Sequence, residues 1–214
     1  MIAIVDYKAG NLTSVRLAFE ALGVEVQITS ESAAILLADR VVFPGVGAAG
    51  AGMEALAQLH LIDVLKTVVE RGTPFLGICL GAQIILQRSK EDGGVDGIGL
   101  LPGTVERFMP LDPAVKVPHM GWNNVEITQW HPVFSGIDDE AEFYFLHSYY
   151  PAPFSRDCIL AETEYAGVRF ASVIGRDNIV AAQFHPERSG RIGLRLLQNF
   201  SKWDGTVQRS EVRG

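Results

Sequence analysis

The sequence predicts an α/β fold: a mostly parallel central sheet flanked by helices, with antiparallel additions in the C-terminal half. Two observations carry this expectation. In the first half, short apolar, β-branched runs alternate with segments whose apolar residues recur at helical spacing, and strands separated by helices pair in parallel. In the second half, six strand-like runs follow one another with few helices between, which suits antiparallel pairing.

Ile2 to Asp6 is apolar and β-branched and reads as a buried first strand. It lacks a basic region, so a strand is expected here and not a targeting segment. Leu12, Val15, Phe19 and Leu22 follow at helical spacing, with Gly23 as the stop. Val24–Thr29 and Arg40–Phe43 are the next strands. One long helix is expected over Gly52–Glu70, then a strand at Pro74–Ile78 and a helix at Leu80–Gln87. Thr104–Phe108, Val117–Ile127, Glu142–Tyr149, Cys158–Tyr165, Val168–Gly175 and Ile179–Phe184 read as the later strands. Ser189 is expected to cap a last helix holding Leu194, Leu197 and Phe200, and the polar tail beyond Trp203 to fray. With no linker, repeat or low-complexity stretch, one domain over 1–214 is expected.

Composition narrows the function. Lys plus Arg is 18 and Asp plus Glu 25, a net charge of −7 with no basic run, which points away from nucleic acid and from anionic membrane surfaces. No apolar run is long enough to span a bilayer. The two cysteines, Cys79 and Cys158, cannot build a disulfide framework, so a reducing, cytoplasmic setting is expected.

The sharpest local signal is Gly77-Ile78-Cys79-Leu80-Gly81, a cysteine between a buried strand and a helix with glycine two residues to each side. This is a nucleophile elbow carrying sulfur. The flanking glycines remove side chains that would collide with neighbouring backbone, and the helix start favours a thiolate. The Leu80 N–H points where an oxyanion would form. The plainer alternative is a buried structural cysteine.

A thiolate needs a base. Among five histidines, His185 ends a strand and precedes Pro186 and Glu187. In an extended segment His185 and Glu187 point the same way, so the carboxylate can fix the imidazole tautomer. Cys79, His185 and Glu187 then form a nucleophile, a base and its orienter. No His, Cys or carboxylate spacing matches a metal site, and no cofactor is implied.

Gly45-Val46-Gly47-Ala48-Ala49-Gly50 fits the glycine pattern of dinucleotide sites. The acid about 20 residues on should end a strand, but here it is Glu70, at an expected helix end. The glycines read better as backbone close to a substrate, with Val46 or Gly47 N–H offered to an oxyanion.

Taken together, Pro44-Gly45-Val46-Gly47, the Cys79 elbow with Gln83, and His185-Pro186-Glu187 make the chain resemble the class I (triad) glutamine amidotransferases over nearly its whole length. Pro118-His119-Met120-Gly121-Trp122-Asn123, Phe143 to Tyr149, and Phe184 to Ser189 resemble more narrowly the glutaminase subunits of imidazole glycerol phosphate synthase. The resemblance implies that L-glutamine is the substrate. It implies that Gly45, Gln83, Glu91 and the backbone of His147, Ser148 and Tyr149 hold it. It further implies a (β/α)8-barrel cyclase as partner in a heterodimer, which receives ammonia through a channel in histidine biosynthesis. By the resemblance Asn11, Trp122, Tyr144 and Arg188 would face that partner; Pro118 and Met120 form an apolar patch with Trp122 and are expected on the same face. Two positions and one stretch depart from the family pattern: Arg188 stands for a usual lysine, Ala82 for a usual methionine, and Ala49–Gly52 is smaller than usual. Other amidotransferase pathways, a cysteine hydrolase and a nucleotide-binding module remain as alternatives.

Overall fold

The computed structural model describes residues 1–110, 112 and 114–207. The first half alternates as the pattern of apolar runs requires. β1 (Ile2–Val5) leads to α1 (Leu12–Ala21), β2 (Val26–Thr29), α2 (Ser32–Leu37), β3 (Arg40–Gly45), α3 (Ala49–Gln58), α4 (Ile62–Glu70), β4 (Phe75–Cys79) and α5 (Leu80–Ile84). Then come β5 (Arg88–Ser89), β6 (Val95–Asp96), β7 (Gly103–Arg107), β8 (His119–Ile127), β9 (Ala141–His147), β10 (Tyr149–Pro153), β11 (Ile159–Tyr165), β12 (Val168–Arg176) and β13 (Ile179–Ala182). The described part of the chain ends with α6 (Gly190–Lys202) and a short turn.

Among the described residues, nine strands form one sheet in the order β2-β1-β3-β4-β13-β12-β11-β8-β9. Its first five strands pair in parallel, and β12, β11, β8 and β9 extend it antiparallel. The expected fold class is therefore borne out. β1 shows why its sequence is apolar throughout. Ile2 and Ile4 enter one core with Val15, Phe19, Leu196 and Phe200, while Ala3 and Val5 enter the other with Ile35, Leu56 and Leu65. Helices α1 and α6 thus cover one face and α2 to α4 the other. Phe200 is fully buried, and truncating such a side chain to alanine costs about 3–5 kcal/mol.

Several expectations need correction. The helix expected over Gly52–Glu70 is two helices, broken where His60 adopts a left-handed φ of 55°. No glycine or proline announces that break. Helix α5 stops at Ile84 and not at Gln87; instead Ile84 O and Leu86 O take N–H groups from Ile98 and Gly99. Thr104–Phe108 does not extend the main sheet. It forms β7 of a separate sheet, ordered β10-β7-β5-β6, and the run Glu142–Tyr149 is divided between the two sheets at Ser148. Ser189 precedes α6 but gives it no side-chain cap: its hydroxyl donates to His185 O at 2.6 Å and accepts Tyr144 N–H at 3.0 Å. Of the tail expected to fray beyond Trp203, the first residues form a turn in which Asp204 accepts from Thr206; residues 208–214 lie outside the described residues. No helix among the described residues is long and apolar enough to cross a membrane.

Candidate active site

Parallel pairing brings the carboxyl ends of β3, β4 and β13 together. Gly45 is the register partner of Cys79, and Ala182 that of Ile78. Cys79 is the last residue of β4, at φ 54° and ψ −107°. A non-glycine residue held there costs roughly 1–3 kcal/mol, so the surroundings must impose it. They do so by close packing around the turn. A Cβ on Gly81 would lie 1.9 Å from Phe43 O, and one on Gly77 2.9 Å from Ala181 Cβ. Only glycine lets α5 and β4 approach their neighbours this closely.

His185 follows β13 and is pinned from both sides, its N–H donating to Tyr144 O at 2.9 Å and its carbonyl accepting from Ser189. Its Nδ1 lies 2.8 Å from Glu187 Oε1, and both side chains are almost wholly buried. The two point the same way because Pro186–Arg188 is a single helical turn, and not because the segment is extended. A carboxylate can only accept here, so Nδ1 carries the proton and Nε2 is left for chemistry. Burial alone would lower the imidazole pKa, but interaction with Cys79 and with Glu187 outweighs it and raises the pKa to about 10. Cys79 Sγ is within hydrogen-bonding range of Leu146 O at 3.9 Å and Gln183 Nε2 at 3.8 Å.

Cys79 and His185 open onto a cavity of about 270 Å³. Val46, Gly47 and Leu80 border it beside the sulfur, and Gln83, Glu91 and His147–Tyr149 line the rest, with Pro118 at its edge. Gly45 does not line this cavity. It borders a much smaller one behind the His185–Glu187 pair, together with Asn11 and Val46. Gln83 donates to Tyr149 O at 2.8 Å and to Gln183 Oε1 at 2.9 Å. Glu91 accepts the Ala49 N–H at 2.7 Å, so a carboxylate already occupies the start of α3. That argues against a dinucleotide phosphate there, as does Glu70 at the end of α4 and not on a strand. Gly47 has φ 96°, a conformation open to glycine alone.

Outside the cavity, Met120 is 63% exposed and Trp122 54%, on the face of β8 opposite His119. Trp122 pairs with Tyr144 across the strands, their rings 6.1 Å apart, and the Arg188 guanidinium lies 4.8 Å over the Tyr144 ring. Arg188 has no ion-pair partner among the described residues. Asn11 is exposed and caps α1 through Ser14 N–H at 3.4 Å. Two neighbours of the site were not singled out as site residues from sequence. Gln183 is fully buried between Cys79 and Gln83, and its position two residues before His185 was the available signal. His119, one of the five histidines, touches His147.

Against known proteins, the model of the family described as glutamine amidotransferase class-I matches residues 3–203. The chain is 50% identical over 208 residues to the imidazole glycerol phosphate synthase subunit HisH of Desulfovibrio desulfuricans, covering 95% of this chain and 94% of that one. It is 47% identical over 200 residues to the subunit of the same name from Methanocaldococcus jannaschii, covering 94% and 98%. Among solved structures, one described as a glutamine amidotransferase superposes with a TM-score of 0.72 at 17% identity, covering 94% and 98%. The glutaminase domain of Trypanosoma brucei CTPS, solved with bound acivicin, gives 0.63 at 18%, covering 97% and 98%.

Proposed function

The chain belongs to the class I glutamine amidotransferase family, and on that premise we propose that it is the glutaminase subunit of an imidazole glycerol phosphate synthase. As a single cytoplasmic domain in a heterodimer, it releases ammonia from L-glutamine for a (β/α)8-barrel cyclase. The observation that carries this reading is the meeting of a strained Cys79 with the buried His185–Glu187 pair at the wall of a cavity that Gln83 and His147–Tyr149 complete.

The chemistry follows from the atoms. The Cys79 thiolate attacks the side-chain carbonyl carbon of glutamine, forming a C–S bond. The oxyanion is held by Leu80 N–H and by Val46 or Gly47 N–H, and one such donor is typically worth about 10² to 10³ in rate. The C–N bond breaks as the His185 imidazolium gives its proton to the departing ammonia. His185, now neutral, takes a proton from water; the hydroxide adds to the thioester, the C–S bond breaks, and glutamate leaves with the thiolate restored. Glu187 orients the ring and stabilises its charged form. Gln83, Glu91 and the His147–Tyr149 backbone hold the α-amino and carboxylate ends, with Gly45 shaping the backbone behind them.

Ammonia loses its nucleophilicity once protonated in solvent, so a sealed hand-over is required. Asn11, Pro118, Met120, Trp122, Tyr144 and Arg188 supply the face for it. In the cyclase the ammonia joins a ribonucleotide intermediate, giving imidazole glycerol phosphate and a carboxamide ribotide. The test is to purify the chain with and without a (β/α)8-barrel cyclase and measure glutamate and imidazole glycerol phosphate together. Product in step with glutamate supports the reading. Glutamate release with co-purification of a different synthase would move the chain to another amidotransferase pathway.

A further inference from the structure

We propose that His119 is a positioning residue for glutamine, aiming the His147–Tyr149 segment through a one-way chain of hydrogen bonds from Asn123 to the Tyr149 carbonyl. The proposal rests on the glutaminase reading above, which makes that segment a holder of the substrate.

The two ends of the chain set its direction. Asn123 Oδ1 accepts the Asn124 N–H at 2.8 Å, which turns the amide so that Nδ2 donates both its protons, to Glu164 O at 3.0 Å and to His119 Nε2 at 3.3 Å. A ring nitrogen that accepts does not carry the proton of a neutral imidazole. His119 therefore bears its proton on Nδ1, which donates to His147 Nε2 at 3.1 Å. By the same step His147 bears its proton on Nδ1, which donates to Tyr149 O at 2.7 Å. That carbonyl also accepts Gln83 Nε2 at 2.8 Å, so both its lone pairs are engaged and the plane of its peptide is fixed.

The pair has room for only two ring protons. A third would set two N–H groups face to face, and burial already lowers the imidazoles to about 4 for His119 and about 3 for His147. The His119 ring is held flat between Phe145 and Tyr165, stacked at 4.7 and 3.9 Å. His119 and His147 are register partners on β8 and β9, so the relay crosses between two strands at one rung. The proposed catalytic steps use neither imidazole. What the pair does is deliver a directed N–H to the peptide next to the cavity.

Two variants separate the hydrogen bond from the packing. His119→Phe keeps an aromatic ring between Phe145 and Tyr165 but removes the donor. His119→Asn places an amide N–H where Nδ1 stood but loses the stack. In the complex with the cyclase, positioning predicts a KM for glutamine raised about fivefold or more in His119→Phe with kcat within about twofold, and a KM near that of the unmutated chain in His119→Asn. An unchanged KM in His119→Phe, or the reverse pattern, overturns the proposal. Should His119→Asn not fold, nitrogen-15 spectra of the unmutated chain decide. Both rings must be neutral with the proton on Nδ1, and a proton on Nε2 of either ring overturns the relay. The spectra need no turnover. If the unmutated complex released no glutamate, the glutaminase reading would fail while the tautomers still judged the hydrogen-bond chain.

Discussion

The parallel centre of the large sheet and its antiparallel edge bury their strands differently, and the proposed chemistry divides along the same line. Every residue of β1 and β4 is buried, because helices cover both faces of the parallel centre. β8 in the antiparallel edge is covered on one face only: His119 and Val125 are buried while Met120, Trp122 and Glu126 are exposed. A doubly covered strand can meet a ligand only at its end, which is where Cys79 stands and where His185 follows β13. A half-covered strand offers side chains along its length, so Met120 and Trp122 lie within β8 while His119 lies on the inner side of the same strand. Reaction needs a dry, immobile frame, whereas recognition needs exposed surface, and on the proposed reading one sheet would supply the first from its parallel centre and the second from its antiparallel edge.

The largest expected effect tests the parallel centre. Cys79→Ala should lower glutamate release about 10⁴-fold or more with the cyclase present, since no thioester can form. Cys158 is the internal control. It is buried at the end of the turn that precedes β11, and burial raises its thiol pKa. A glutamine-mimicking alkylator followed by peptide mapping should label Cys79 and leave Cys158 free. Equal labelling would mean that the elbow confers no special reactivity.

Next in size is the imidazole. His185→Asn should cost about 10² to 10⁴ in turnover, because the departing ammonia loses its proton donor. Glu187→Gln should cost less, since the carboxylate orients and transfers no proton. The pH profile sharpens this. A pKa raised to about 10 means that the folded chain holds the His185 proton through neutral pH and loses it only as pH rises through that value. The alkaline limb of kcat/KM should therefore lie near pH 10 and move to lower pH in Glu187→Gln. A limb near pH 7 in the unmutated complex would show that Cys79 and Glu187 do not hold the imidazolium.

On the antiparallel side the expected effect is smaller and falls on binding. Trp122→Ala should weaken association with the cyclase by about 2 kcal/mol, near 30-fold in Kd, if this exposed ring is an interface anchor. Titration calorimetry reads it directly. An unchanged Kd would move the docking surface elsewhere and break the division of labour between centre and edge.

What was legible in the sequence follows the same division. The Cys79 elbow could be read because its rule is local: glycines at 77 and 81 make room that no other residue allows. The doubly buried strands could be read because burial on both faces leaves an unbroken apolar run. The break at His60 could not, since nothing in Leu59-His60-Leu61 demands a left-handed residue. Nor could the second sheet, because β5 and β6 are two residues each, too short for any period to show, and exist only by pairing with each other and with β7. Gln183 and His119 escaped for the same reason. Gln183 bonds to Gln83, 100 residues away, and His119 to His147, 28 away, so their partners are set by the sheet and not by sequence neighbours. Ser189 looked like a helix cap because its position allows one. In the fold its hydroxyl ties His185 to β9 instead.

The smallest effect is the most specific. Arg188 follows Glu187 directly, yet it does not line the Cys79 cavity, and its guanidinium lies over the Tyr144 ring with no carboxylate partner among the described residues. On the proposed reading, a cation that lies over a ring and has no ion-pair partner among the described residues would meet an acidic group of the cyclase. A single exposed ion pair contributes about 0–1 kcal/mol, so Arg188→Ala should change Kd less than about fivefold. Its consequence should appear in the hand-over. On the proposed reading, loss of the guanidinium would open the docking rim to water, and ammonia that escapes would be protonated and lost to the cyclase. Glutamate release should stay within about threefold while glutamate formed per imidazole glycerol phosphate rises, to about two or more at limiting cyclase substrate. Arg188→Lys should fall between, since it keeps the charge but not the plane that stacks. Measuring glutamate and cyclised product in the same reaction gives the ratio without needing absolute rates. A ratio unchanged in Arg188→Ala, with Trp122→Ala nonetheless weakening association, would place the docking anchor on β8 but the ammonia seal on other residues.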